Sequence, residues 1–346
     1  MRAITFHQFS GPMSLEIVSD PVAIEGAVVL KVGATGICRS DWHGWMGHDP
    51  DISLPHVPGH EIAGTVVALG KGIRKWKEGD RVTVPFVGGC GNCEPCSSGN
   101  QQICDHQFQP GFTHWGSFAQ YVAIHYADIN LVALPDSVDF TTAASLGCRF
   151  TTAYRALQAQ AQLKAGQWVA IHGCGGVGLS AIMIAHAFKA NVIAIDIDDS
   201  KLDFAKKIGA TEVVNAKNIN DVVTAVKELS HGGVHVSIDA LGSRSTCINS
   251  ISNLRKSGKH IQVGLMSGEG HMPAIPMHQV VAHELEILGS HGMAAHAFPP
   301  LMEMVLTKQL QPEKLIGKTI SLEESMQALS HMDRFETNGI TVINQF

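Results

Sequence analysis

Charge is scarce in this 346-residue chain: Asp, Glu, Lys and Arg make up 16% of it, against a usual level near ~25%. With 45% apolar residues, that composition excludes a disordered chain and calls for sizeable buried cores. Basic residues are fewer than acidic ones, 25 against 31, and neither sign forms a long run; the net charge of −6 argues against nucleic acid as a partner. A hydrophobic leader is also missing. The N-terminal MRAITFHQFSG alternates like a strand and lacks the roughly 7–15-residue apolar core of a signal peptide, which points to the cytoplasm. The longest stretch free of Asp, Glu, Lys and Arg, Ala165 to Phe188, has the length of a membrane span but holds five glycines and two histidines; it reads as strand, turn and helix, with no membrane partner.

What the chain has in excess is glycine and cysteine. The 35 glycines are about 10% of the residues, above the ~7% norm. Eight cysteines without a secretory leader argue for thiolate chemistry over disulfides. Up to about residue 150, short alternating runs at 28–36, 62–70, 80–87 and 118–124 are separated by Gly, Pro and polar turns, a mostly β pattern. From about 165 the rhythm changes. Candidate strands at 168–172, 191–196, 212–215, 235–239, 260–264 and 286–289 alternate with amphipathic stretches such as 200–208, 219–230 and 245–256, predicting an α/β, doubly wound parallel sheet. After Ser290 the pattern stops; helical segments near 298–307 and 323–333 precede a final strand-like ITVINQF that returns to the first domain.

Gly173-Cys174-Gly175-Gly176-Val177-Gly178 gives G-x-G-x-x-G between the strand WVAIH and a helical run. Its glycines permit a tight turn and close approach of backbone to a pyrophosphate at a helix N-terminus. By itself the motif also fits a plain packing turn. Asp196 ends the next strand, near the ~20-residue separation at which an acid meets a ribose 2′-hydroxyl, favouring NAD over NADP; a helix N-cap is the alternative reading. Cys90, Cys93, Cys96 and Cys104 form C-x2-C-x2-C-x7-C in a Gly- and Asn-rich loop. Four thiolates so spaced can close on Zn²⁺ with no open position, the character of a structural site; an iron–sulfur cluster is the alternative.

Cys38, in GICRSDWH, His60, in PGHE, and Cys148, in SLGCRFTTAY, are each, on chemistry alone, as readily buried hydrophobes or ordinary histidines as ligands. Yet the combination of CRSDWH, GHE, the four-cysteine loop, GCRFTTAYRAL, GCGGVG and VIAIDID, in this order, resembles the zinc-dependent alcohol dehydrogenases of the medium-chain dehydrogenase/reductase family, from about residue 2 to 346. The resemblance implies a mostly β, GroES-like catalytic domain over 1–150, a Rossmann NAD-binding domain over 151–291 and a return to the catalytic domain over 292–346. It implies two Zn²⁺ per subunit, one held by Cys38, His60 and Cys148 with an open fourth position and one by the four-cysteine loop. Glu61 then resembles a carboxylate that can approach the catalytic zinc, and Asp41 the acid that orients the ligand histidine.

The implied reaction is reversible hydride transfer from a zinc-bound alcohol to NAD, giving an aldehyde or ketone. Ser40 and His43 match a proton relay, for which a histidine of ordinary pKa is suited. Arg39 matches a pyrophosphate contact, Thr152 and Val177 residues lining the nicotinamide, Gly264-Leu265 and Gly289-Ser290 segments bonding its carboxamide and ribose, and Lys201 a lysine near the adenosine ribose. Trp45, Phe86 and Trp115 are candidates for an aromatic pocket suited to a small uncharged alcohol, aldehyde or ketone. One departure stands out: Asn338-Gly339-Ile340-Thr341 lacks the cation that many relatives carry after this glycine, so NAD affinity rests more on Arg39 and the glycine turn. An aldehyde reductase or a polyol or aryl-alcohol dehydrogenase of the same family is the alternative; a non-catalytic NAD-binding protein would need none of Cys38, Ser40, His43, His60 and Cys148. The chain length resembles that of the microbial homotetramers, with a dimer as the alternative.

Overall fold

The computed structural model describes residues 1–266, 272–334 and 339–346, and Asn338 of the departing segment lies outside them. The chain divides into two compact units, Met1–Thr151 with Gly292–Phe346, and Thr152–His291.

The first unit is built on a seven-stranded sheet. Its path runs Ile316–Ser321, Ile340–Gln345, Val28–Ile37, Glu61–Leu69, Arg81–Thr83 and Val132–Ala133, with Tyr121–Ile124 also paired to Val28–Ile37. The long strand Val28–Ile37 is buried along most of its length, with Lys31 exposed, and its residues Leu30 and Val32 pack with Ile62, Val66, Val82 and Phe108 in one core. Register sets the site: Gly36 pairs with Glu61 on one side and with Val342 on the other. Two strands are shorter than the sequence pattern suggests. The run 80–87 is strand only over Arg81–Thr83, because Pro85 cannot donate to a ladder. In 118–124 the strand is Tyr121–Ile124, while Phe118 turns its carbonyl to the amide of Ile4.

The second unit is a six-stranded, all-parallel sheet in the order Glu212–Asn215, Asn191–Asp196, Trp168–His172, Val234–Asp239, Leu254–Gln262, Glu286–Gly289. In chain order that is 3-2-1-4-5-6, so the order reverses between Trp168–His172 and Val234–Asp239, the crevice where such sheets bind ligands. The helix read at 245–256 ends at Ser252, and a strand begins at Leu254. Arg255, Lys256, Ser257 and Gly258 disguise that strand. Ser257 lies in the left-handed region at φ 57°, which interrupts the strand's alternation. Among the described residues no helix is long and apolar enough to cross a membrane.

Candidate active site

Cys38 closes the strand Val28–Ile37 and precedes the short helix Arg39–Trp45. Asp41, buried in the first turn of that helix, binds three groups at once. Its Oδ2 accepts from the Cys38 amide at 2.8 Å; its Oδ1 accepts from the Gly59 amide at 3.1 Å and from His60 Nδ1 at 2.7 Å. Gly59 can make this turn because its φ is +108°, a conformation that glycine adopts without a Cβ penalty. With an acceptor-only carboxylate at Nδ1, the His60 proton sits there and Nε2 is left as an acceptor. Burial works against an imidazolium, yet Asp41 makes the ring more basic than a free histidine, which strengthens its remaining nitrogen as a metal donor.

His60 Nε2 is buried and has no hydrogen-bond partner. One donor atom from each of Cys38, His60, Glu61 and Cys148 lies within 4.8 Å of the others. The hydrogen bond from the Cys148 thiol, aided by His60, holds Cys38 well below the usual thiol range, and the same bond with burial pushes Cys148 up. A lone imidazole nitrogen facing a thiolate and a thiol in a buried pocket is an electron-rich donor set, and it fits Zn²⁺.

Arg149, which the sequence reading passed over, binds the remaining carboxylate. Its Nε donates to Glu61 Oε1 at 3.0 Å, its backbone amide to the same oxygen at 3.2 Å, and a terminal nitrogen to Oε2, while its other terminal nitrogen reaches the Ile37 carbonyl at 3.0 Å. Burial raises the Glu61 carboxyl to about 7, with the guanidinium opposing. The only sequence signal was an arginine directly after a ligand cysteine.

Ser40 Oγ stands 3.9 Å from Cys38 Sγ. His43 Nδ1 meets His48 Nδ1 at 2.9 Å, and His48, an exposed residue, was also missed. The expectation of an ordinary His43 pKa does not hold: burial, then Arg39 and His48, lower it to about 4. Arg39 stacks over the Trp42 ring at 3.9 Å and donates to the Met332 carbonyl at 2.7 Å. Of the three pocket aromatics, Phe86 lies beside the cluster, its ring 5.9 Å from that of His60. Phe112, not foreseen, is closer at 5.1 Å. Trp45 instead packs with Phe6, Ile52 and Phe112 and donates to the Gly11 carbonyl at 2.9 Å. Trp115 donates to the Pro55 carbonyl and lines a separate hollow with Met1, Asp20, His114 and Tyr121; the hollow contains none of the metal-donor residues.

The four thiols of Cys90, Cys93, Cys96 and Cys104 converge within 4.8 Å, unbridged by disulfides. Backbone amides point at sulfur: Cys90 N and His106 N donate to Cys104 Sγ at 3.2 and 3.3 Å, and Asn92 N to Cys90 Sγ at 3.5 Å. Such donors favour thiolates. Amides of Cys96 and Asp105 hold Cys93 down at about 6 despite burial.

In the second unit, Gly173 has φ +96°, and a Cβ on Gly178 would lie 1.8 Å from the Gly173 carbonyl oxygen; Gly175 caps the helix Gly176–Ala187, whose first turn holds Val177. Asp196 accepts from the amides of Cys174 at 2.6 Å, Ile197 at 2.8 Å and Asp198 at 3.1 Å, so it ties the glycine turn to the next strand. Lys201 lies on the helix Asp199–Lys207. Gly264 packs against the backbone of Gly242, Leu265 is exposed, and the Gly289 carbonyl accepts from Gln160. Thr152 Oγ1 and Ser290 Oγ are buried hydroxyls without partners, as a cradle for a polar cofactor would have.

Residues 24–136 match the family model described as the alcohol dehydrogenase GroES-like domain, and residues 176–307 that of the zinc-binding dehydrogenases. An alcohol dehydrogenase of Geobacillus stearothermophilus is 36% identical over 294 residues, 84% of each chain. One from Moraxella sp. (strain TAE123) is 39% identical over 272 residues, 78% of this chain and 79% of that one. The solved structure of a NAD-dependent alcohol dehydrogenase aligns over 100% of both chains at 27% identity with a TM-score of 0.91. The chain belongs to the zinc-dependent alcohol dehydrogenases of the medium-chain dehydrogenase/reductase family.

Proposed function

We propose that this enzyme interconverts a small uncharged alcohol and its aldehyde or ketone with NAD, using two zinc ions per chain. The observation that carries the reading is the Cys38, His60 and Cys148 donor set with an unpartnered imidazole nitrogen. The rings of Phe86 and Phe112 beside it suit an apolar substrate. Zinc, when bound, supplies Lewis acidity toward a hydroxyl, and the nicotinamide supplies the hydride chemistry.

The chain's own groups hold and move the proton. Ser40 Oγ stands next to the donor set, where it would accept the hydroxyl proton while passing its own on to the next acceptor. His43, with its pKa near 4, stays neutral through the physiological range, its Nδ1 paired with His48 Nδ1. Asp196 carries a negative charge at the end of its strand, which disfavours a 2′-phosphate and supports NAD over NADP.

The four-cysteine cluster takes the second zinc. Metal-thiolate clusters persist in a reducing compartment, consistent with the cytoplasm. The strand Glu286–Gly289 ends its sheet; its Ile287 is 37% exposed, and Met277 and Val281 on the preceding helix are 56 and 75% exposed. An edge strand with exposed apolar residues suits self-association, for which we propose a homotetramer or a dimer. The test is alcohol-dependent NADH formation on protein of measured zinc content. Two zinc per chain with turnover supports the reading; one zinc, kept by the four cysteines, without turnover overturns it.

A further inference from the structure

Glu61 belongs to both the metal cluster and an ion pair, and the two uses exclude each other. Its carboxylate lies within 4.8 Å of the Cys38, His60 and Cys148 donors. Ligands about 2.0–2.3 Å from a tetrahedral zinc sit roughly 3.5 Å apart, so a short swing would make it the fourth ligand. A closed four-ligand set leaves no place for substrate.

The surroundings restrict that swing. The Glu61 side chain runs between two glycines: a Cβ on Gly36 would fall 2.1 Å from its Oε2, and one on Gly147 2.4 Å from its Cβ. The side chain thus fills the space a Cβ would need and packs on the bare backbone of both glycines, neither of which offers a side chain to hold the carboxylate oxygens. Arg149 does. Three donors from this one residue reach both carboxylate oxygens, and its remaining terminal nitrogen is anchored on the Ile37 carbonyl, in the strand that delivers Cys38. Both partners are buried, where an unpaired carboxylate is costly and must find another cation or a proton.

We propose that Arg149 is a positioning residue that keeps Glu61 off the catalytic metal and so keeps the fourth coordination position open. The inference rests on zinc at Cys38, His60 and Cys148. It goes beyond the family's shared ligand set, because it assigns a function to the arginine next to a ligand.

The test uses the full-length enzyme loaded with Co²⁺ at the catalytic site, with added imidazole as a probe of the open position, followed by the cobalt absorption bands. In the parent enzyme imidazole shifts these bands. In Arg149→Met its apparent Kd rises at least tenfold, because Glu61 occupies the position, and kcat falls in parallel. Arg149→Lys recovers part of the affinity. Arg149→Met combined with Glu61→Gln recovers most of it, since a neutral amide competes poorly for the metal. Unchanged imidazole binding in a cobalt-loaded, folded Arg149→Met protein overturns the proposal, as does failure of Glu61→Gln to rescue it. A parent protein that takes up no cobalt at Cys38, His60 and Cys148 instead overturns the zinc assignment itself, which separates the two failures.

Discussion

Asp41 shows how one side chain can organise a site whose ligands are far apart in sequence. It fixes the backbone at Cys38, the turn at Gly59 and the tautomer of His60. Asp41→Asn keeps the shape but can accept less well at Nδ1, and outer-sphere losses of this kind cost about 10–100-fold in metal affinity; competition with a chelator should show zinc lost from this site while the four-cysteine zinc is retained. Arg149 is not legible in the sequence because its partner, Glu61, is 88 positions away, and only tertiary packing brings the start of the helix Cys148–Arg155 against the strand Glu61–Leu69. His172 offers a pH test. It is fully buried, and burial followed by His260 lowers its pKa to about 3, while the unfolded chain titrates near 6.5. Between those values the unfolded state binds the extra proton, so this contribution to stability is intact above pH 6.5 and falls as the pH drops toward 3. At pH 5 the loss is about 2 kcal/mol. In His172→Gln the decline of unfolding free energy between pH 7 and 5 should flatten by about that amount; an unchanged slope would assign the acid sensitivity elsewhere.

At the scale of elements, the parallel sheet was legible because apolar runs of strand length alternate with capped helices: Asp198, Asp221 and Ser243 each accept from an amide in the first turn of the helix that follows. Leu254–Gln262 was half hidden, since charged residues in its first part mimic a helix end. The four-cysteine loop could be read from spacing alone because its donors fall within one loop. The other donor set could not: Cys38 and Cys148 are 110 positions apart, and the resemblance to a family, not periodicity, linked them. The glycine turn yields the sharpest element-level expectation. Gly178→Ala would push a Cβ into the Gly173 carbonyl, and because the obstacle is backbone the turn must open. NAD binding, followed by protein fluorescence or calorimetry, should weaken by at least tenfold while zinc content stays the same. Retained affinity would mean that the turn does not cradle the cofactor.

The whole molecule is read most easily through its surfaces. Ile287 in the terminal strand and Val281 on the helix before it are apolar and exposed, so the double variant Val281→Glu, Ile287→Lys should shift the protein to a smaller species in sedimentation without loss of helix or strand content. An unchanged mass would place the subunit contact on another face. Fold class was the most legible property at this scale, because glycine punctuation and strand spacing run through the whole chain. Substrate identity was the least, because the rings nearest the donor set, Phe86 and Phe112, sit on loops where neither alternation nor helical period marks which way a side chain faces.

The last strand, Ile340–Gln345, lies against Val28–Ile37 in the unit that also holds both metal-donor clusters found among the described residues. All seven cysteine and histidine donors precede Thr151, and the stretch Thr152–His291 forms its own unit before the C-terminal segment appears. During synthesis, therefore, a nascent chain presents its complete set of zinc donors long before the strand that seals their sheet has been made. Metal capture and closure of the first unit are separated in time by the folding of the second.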